Sequence, residues 1–339
     1  MTKIKKLAIL AAACCLALSI SACGTKTGGG SKAASSAAAG GDKKVTVYMP
    51  SPAGLSQKLA KGFEKKTGIK VEVFQGTTGE ILARLEAEKN NQAADVVVLA
   101  SWSDGLSLKG KNVLVPYKPK GADKMVKDFV DKDNELWGYS ASAVGVIYNK
   151  NVYPELYADW SELADPAYKD NLAIPDPQKS GACKDFLAGY VNQYGWDALE
   201  GMAKNGMTVP GANKAAVEAV TTGEKGILVA GVDYNAYTAI KKGEPLAIYY
   251  PKSGTIVNPR PAMIMKNAPH EENAKQFMDY LLSDEAQQLV ADAYLIPGRS
   301  DIEAKGTPLS KIPQIKPEWD KMMAIASDTA AKLNALCGK

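Results

Sequence analysis

VTVYMPSPAGLSQKLAKGFEKKTGIKVEV, residues 45–73, changes its hydrophobic period twice. Residues 45–48 are β-branched and aromatic, the composition of a short strand. Leu55, Leu59 and Phe63 then recur at helical spacing, and Gly68 supplies a stop. Residues 70–74 return to a strand pattern. A strand, a helix and a strand in so short a stretch make one βαβ step.

The pattern continues toward the C-terminus. Ile81, Leu82 and Leu85 mark a second helix, and residues 95–99 form an apolar run of the type buried in a parallel sheet. Residues 143–148, 172–174, 227–230, 247–250 and 263–265 read as further strands. Residues 274–282 form a helical stretch, and the tail 318–336 reads as an amphipathic helix around Trp319, Met322, Met323 and Ile325. Alternation of this kind predicts an α/β fold, a mainly parallel sheet with helices on both faces. No internal repeat is visible.

Upstream of residue 44 the sequence reads as an address. Lys3, Lys5 and Lys6 precede an apolar run over 7–20, which falls short of the ~20 residues a membrane span needs. It fits the h-region of a signal peptide over 1–22. Residues 20–23 (Ile-Ser-Ala-Cys) resemble a bacterial lipobox, which makes Cys23 the expected lipidation site. Residues 24–41 (GTKTGGGSKAASSAAAGG) lack apolar periodicity, so 23–43 is expected to be a lipid-anchored flexible linker. Cys14 and Cys15 leave with the signal peptide. Cys183 and Cys337 lie far apart in sequence and are expected to stay unpaired.

Composition narrows the function. The chain has 339 residues, 46% of them apolar and 23% charged, which suits about two globular domains of ~100–200 residues each. Of 41 basic residues, the three lysines of 1–22 are lost with the signal peptide, leaving 38 against 37 acidic ones. A nearly neutral body implies no nucleic-acid partner. With one histidine, His270, neither a Ser-His-Asp triad nor a multi-histidine metal centre is expected. His270 itself, in a helix-start loop, reads as a surface residue.

Residues 45–73, ADVVVLAS (94–101), AVGVIYNKN (143–151), GILVAGVDYNAY (226–237) and AKQFMDYLLSDEAQQLVADAYLIPGRSD (274–301) form an ordered set. Together they resemble the type II periplasmic solute-binding proteins of ABC importers, most closely the branch carrying ferric iron, thiamine, phosphonates and sugar phosphates. The resemblance implies two α/β lobes, 44–143 plus 260–339 and 146–256, with a hinge at about 143–147 and 257–261. It also implies an ABC permease as partner, a monomer, no cofactor, no enzymatic activity, and a place at the outer face of the cell membrane or in the periplasm.

Ligands of open α/β sheets sit beyond the carboxyl ends of strands, where helix N-termini favour anions. Small hydroxyl and glycine residues stand at several such points. Ser51 follows the first strand. Thr77 and Thr78 follow the second, although Thr77 and Glu80 also make a capping-box pattern. Ser101 and Trp102 follow the third, the indole being either a ligand cover or a core residue. Ser180 is a good cap, and with the amides of Gly181 and Ala182 it would form an oxyanion nest. By resemblance to the ferric branch, Ser180, Gly181 and Asn213 match its anion-holding points. Its adjacent tyrosine pair is broken here: Tyr234 aligns with one tyrosine and Asn235 replaces the other. The anion half of that site is retained and the metal half is not, which favours a small anionic solute bearing its own phosphate or phosphonate. Asp233 would then accept from the solute, Tyr234 donate or stack, and Arg299 pair with a phosphoryl group. The alternative is ferric iron, held through Tyr234 and Asp233. A hydrolase in the same cleft is disfavoured, since no nucleophile elbow, metal cluster or nucleophile–base pair is visible.

Overall fold

The structure is a computed structural model that describes residues 43–50, 52 and 54–339. The signal segment 1–22, Cys23, the linker up to residue 42, and Ser51 lie outside the described residues.

β1 (Lys44–Met49), α1 (Leu55–Thr67) and β2 (Lys70–Gln75) form the βαβ step expected from 45–73, with β1 and β2 parallel from Lys44↔Lys70 to Met49↔Gln75. α1 buries Leu55, Leu59 and Phe63, and Gly68 ends it at φ 73°, a conformation glycine adopts without steric cost. α2 (Thr78–Ala87) leads into β3 (Val96–Val98), which pairs parallel with β1. α3 (Trp102–Gly110) and β4 (Leu114–Val115) precede the long β5 (Trp137–Asn149). β6 (Leu172–Ala173), α4 (Gly181–Tyr194), α5 (Asp197–Lys204), α6 (Asn213–Thr221), β7 (Ile227–Val232), α7 (Asp233–Lys241) and β8 (Leu246–Tyr249) follow. The chain returns through β9 (Val257–Met265) to α8 (Glu271–Leu281), α9 (Asp284–Asp292), β10 (Ile296–Pro297) and α10 (Trp319–Leu336).

The strand order is β2-β1-β3-β9-β5-β7-β6. The outer pairs β1–β2, β1–β3 and β6–β7 are parallel, as the alternation requires. The long central strands are not: β9 runs antiparallel to both β3 and β5, and β5 antiparallel to β7 and β8. The sheet is therefore mixed, because β5 and β9 cross between its two halves rather than closing another βαβ step. β5 is longer than residues 143–148 suggested. Its residues 137–143 pair with β9, and 144–149 pair with β7 and β8. Every residue of β5 is buried, so this strand is the common spine of both halves. Gly145 has no room for a side chain, since a Cβ there would lie 2.6 Å from the Tyr249 carbonyl oxygen.

A single buried cluster runs through both halves. Phe63 meets Phe277 edge-on at 5.2 Å, an arrangement worth about 0.5–1.5 kcal/mol beyond area burial. Trp160 packs on Phe186 at 4.6 Å on the other side. α10 is the predicted tail helix. It buries Met322, Ala326 and Leu333, and it lies along α4 with its first turn near α3. Beyond it, Lys339 Nζ sits 2.7 Å from Asp176 Oδ2, and Asn334 Nδ2 donates to Asp176 Oδ1 at 3.0 Å. Cys183 and Cys337 are free thiols. His270 is not a plain surface residue: its backbone amide and Nδ1 both meet the fully buried Asp95 carboxylate, which ties the start of α8 to the β3 edge. Among the described residues no helix is long and apolar enough to cross a membrane.

Candidate functional site

The N-terminal ends of α2, α3 and α4 meet one another. α2 begins with a complete capping box: Thr77 Oγ1 accepts from the Glu80 amide at 3.2 Å, and Glu80 Oε2 accepts from the Thr77 amide at 2.7 Å. Thr77 is thereby spent on the helix. Thr78 is buried and its hydroxyl accepts from the Ala100 amide at 3.1 Å. Gly79 lies so close to the 176–180 loop that a Cβ would come within 2.6 Å of the Gln178 carbonyl oxygen.

At the start of α3 the chain itself engages Ser101 and the Trp102 amide. Asp185, one turn into α4, reaches across and occupies that helix start. Its carboxylate accepts from Ser101 Oγ at 3.0 Å, from the Trp102 amide at 2.9 Å and from Ser103 Oγ. A carboxylate is what the free amides of a helix N-terminus attract, and here the chain supplies one. Burial pushes the Asp185 carboxyl up to about 6; Asp104 adds to this, while Lys184 and the two serines oppose it. Lys184 pairs with Asp104 alongside. The Trp102 indole is buried in the core with Leu136 and Met263.

Ser180, Gly181 and Ala182 do open α4. The Ser180 hydroxyl caps the Cys183 amide at 3.2 Å, and the Ala182 carbonyl accepts from Asn258 Nδ2 at 3.3 Å. Gly181 touches Ser101, where a Cβ would come within 2.7 Å of the serine Cβ. Asn213 starts α6 beside this loop, joined to it by a 2.7 Å bond from the Asp176 amide to the Gly211 carbonyl; its Oδ1 is buried without a partner.

Asp233 is held by the protein itself in this structure. Its carboxylate accepts from the amides of Ala143 (3.1 Å) and Tyr234 (2.8 Å) and from the Tyr250 hydroxyl (3.2 Å). It thus ties α7 to β5. Burial pushes it up to about 7, against the pull of the backbone donors. Arg299 is also placed elsewhere. Its guanidinium grips Asp301 through two bonds of 2.8 and 2.7 Å, contacts Asp284, and donates to the Leu282 carbonyl. This bidentate geometry, expected for a phosphoryl group, is taken by an aspartate two residues on.

The residue missed in sequence is Arg260. It lies on β9 opposite Ser140 of β5 and is 1% exposed. One end of its fork donates to the Pro50 carbonyl, its charge lies 5.9 Å from the Tyr234 ring centroid, and Nε has no partner. Among the described residues no carboxylate pairs with it. Around it stand further buried polar atoms without partners: Ser140 Oγ, Ser142 Oγ and Tyr139 Oη on β5, Asn258 Oδ1 on β9, and Asn235 Nδ2 on α7. A lone charge in the mostly apolar run 257–265 was the available signal. For a metal, the described residues offer the group Asp131, Asp133 and Glu135. The Lys109 ammonium, 2.6 Å from both Asp131 and Asp133, already occupies it.

Residues 91–323 match the family model for bacterial extracellular solute-binding proteins. The chain belongs to that family. Among curated solute-binding relatives, it is 26% identical to iron uptake protein A1 of Synechocystis over 74% of each chain. It is also 26% identical to a putative 2-aminoethylphosphonate-binding periplasmic protein of Salmonella typhimurium, over 80% of this chain and 82% of that one. Its fold matches the periplasmic binding protein AfuA of Actinobacillus pleuropneumoniae, solved with fructose 6-phosphate, at a TM-score of 0.79 and 22% identity, covering 87% of this chain and 98% of the other. This solute-binding protein thus has the two-lobed fold of its neighbours and is the extracytoplasmic component of an ABC importer, a class that binds and delivers solutes.

Proposed function

We propose that this solute-binding protein captures a small phosphate- or phosphonate-bearing solute between its two lobes and delivers it to an ABC permease. The lobes are 44–143 plus 260–339 and 146–256, with β5 and β9 as the hinge at about 143–147 and 257–261. Closure brings the α2 and α3 starts of one lobe against the α4 start of the other, and bound solute shifts the balance toward that state. Cys23 carries the lipid anchor, 23–43 is the tether, and the protein acts as a monomer outside the cytoplasmic membrane.

The observation that carries this reading is Arg260. An uncompensated buried cation costs several kcal/mol, and such groups are found paired. A phosphoryl oxygen beside Nε would provide the missing counter-charge, with the start of α4, tied to β9 through Asn258, on the same side. Iron is supported less well. Asp233 is engaged as described, and the Tyr237 hydroxyl is bonded to Thr307 at 2.7 Å and Tyr250 at 3.2 Å, which leaves Tyr234 without hard-oxygen company.

A thermal-shift panel on the detergent-solubilised full-length chain tests this. The panel holds aminoethylphosphonate, hexose phosphates, phosphoglycerates, inorganic phosphate and ferric citrate. A solute at ~100 times its Kd adds about 2.7 kcal/mol, enough to raise Tm by roughly 4–5 °C. A rise with an organophosphate and none with ferric citrate is the expected result. A rise with ferric citrate alone, accompanied by visible absorption of an iron–phenolate bond, overturns the reading. The anchor has its own check: Cys23→Ala should release the protein into the medium or the soluble extracytoplasmic fraction.

A further inference from the structure

The partnerless groups on the β5–β9 ladder differ in what they can recognise. Arg260 Nε requires an acceptor. Ser140 and Ser142 each offer a hydroxyl, which donates or accepts, and Asn258 Oδ1 is an acceptor. The register sets Ser140 opposite Arg260 and Ser142 opposite Asn258. Cross-strand partners share a face, and so do residues two apart, so all four side chains lie on one face of the ladder. All four are essentially fully buried. The bonds from Arg260 to the Pro50 carbonyl and from Asn258 to the Ala182 carbonyl show that this face looks toward the end of β1 and the start of α4.

Two residues along a strand span about 7 Å, so the Ser142–Asn258 pair lies that far from the Ser140–Arg260 pair. A short phosphorylated carbon chain covers this distance. The row contains no carboxylate: Asp233 faces Ala143, Tyr234 and Tyr250, and Asp185 faces the start of α3. A solute ammonium would find no anionic partner in the row. A solute hydroxyl would find both an acceptor and donors.

We propose, resting on the anion-binding reading above, that Ser140, Ser142 and Asn258 determine specificity by reading hydroxyl groups, so that the solute is a phosphorylated polyol. Arg260 takes the phosphoryl end, and the Ser142–Asn258 pair takes a hydroxyl further along the chain. A site built to bond hydroxyls rejects an analogue lacking them, because its own polar groups then stay buried and unpaired; such discrimination reaches roughly 10⁴-fold in the best cases.

The test is calorimetry on the full-length chain with glycerol 3-phosphate, fructose 6-phosphate, propyl phosphate and 2-aminoethylphosphonate. A polyol phosphate is expected to bind about 100-fold more tightly than propyl phosphate, about tenfold for each hydroxyl contact. Ser140→Ala with Ser142→Ala should shrink that ratio to within about tenfold. Both serines lack partners, so the double variant should fold; circular dichroism checks this. If it does not fold, Asn258→Ser and Ser142→Ala singly should each reduce the ratio. Equal binding of propyl phosphate, or tighter binding of aminoethylphosphonate, overturns the proposal while the anion-binding reading stands. If none of the four binds, and inorganic phosphate produces no thermal shift, the anion-binding reading itself fails.

Discussion

Replacing Arg260 by Gln is expected to weaken organophosphate binding by about 100-fold or more, since removing one partner of a desolvated charge pair costs roughly 2–5 kcal/mol. The solute-free protein should respond in the opposite sense. Arg260 is buried, one nitrogen lacks any partner, and among the described residues no carboxylate balances its charge. Glutamine discards the buried charge at the cost of the bond that the terminal nitrogen makes to the Pro50 carbonyl, so Tm without solute should hold or rise. A structural arginine would behave otherwise, with Tm falling and affinity changing only in proportion. Calorimetry together with denaturation therefore separates the two roles. Arg260→Lys should restore little, because a point ammonium cannot reproduce the planar fork.

Asp185→Ala is expected to produce the second-largest effect. The side chain accepts from Ser101, Trp102 and Ser103, and its removal leaves those donors buried and unpaired in the closed arrangement. Opening the lobes returns them to water. The penalty, about 2–3 kcal/mol for several lost donors to a charged group, should therefore fall on closure. Apparent solute affinity should drop by roughly 30- to 100-fold, as the closed fraction drops, and small-angle scattering should give a larger radius for the variant with solute. Unchanged affinity would show that the contact follows closure without driving it.

The same group sets a pH trend. The Asp185 carboxyl is pushed up from 3.8 to about 6 and that of Asp233 from 3.8 to about 7, burial being the first cause in each. A carboxyl raised in the folded state binds its proton more tightly there, so folding is favoured by acid and loses stability as pH rises through the window from the lower value to the upper. Asp301 acts in the other direction: Arg299 holds it down to about 2, so its contribution is present at neutral pH and lost in strong acid. The difference between wild type and Asp185→Asn isolates the first trend. Measured by urea midpoint, wild type should lose stability relative to the variant between about pH 4 and pH 6 and run parallel above it.

The βαβ steps were legible because their periodicity is local. Leu55, Leu59 and Phe63 announce α1, and the run 95–99 announces a buried strand, whatever the rest of the chain does. The antiparallel course of β9 was not legible, because a strand's direction is set by where the chain has come from. The site divided along the same line. Ser180, Gly181 and Ala182 could be found as a helix start, since capping is a short-range pattern. The partners of Arg299 and Asp233 were not legible, because those that engage them, Asp301 and Asp284 for one and Ala143 and Tyr250 for the other, are assigned by folding. Ser140 and Ser142 are unremarkable in sequence. They gain meaning only once β9 sets Arg260 and Asn258 opposite them.

The last helix bears on how this protein could be made into a fluorescent sensor. α10 starts with Trp319 against the core that holds Met263, and the chain after it ends with Lys339 bonded to Asp176, four residues before Ser180. A reporter fused to the carboxyl terminus would pull on the loop that opens α4 and so distort the dose response it was meant to read. A reporter inserted upstream of Lys44 avoids that linkage, and a dye pair spanning the mouth between α2 and the 176–180 loop would register closure with no load on α10.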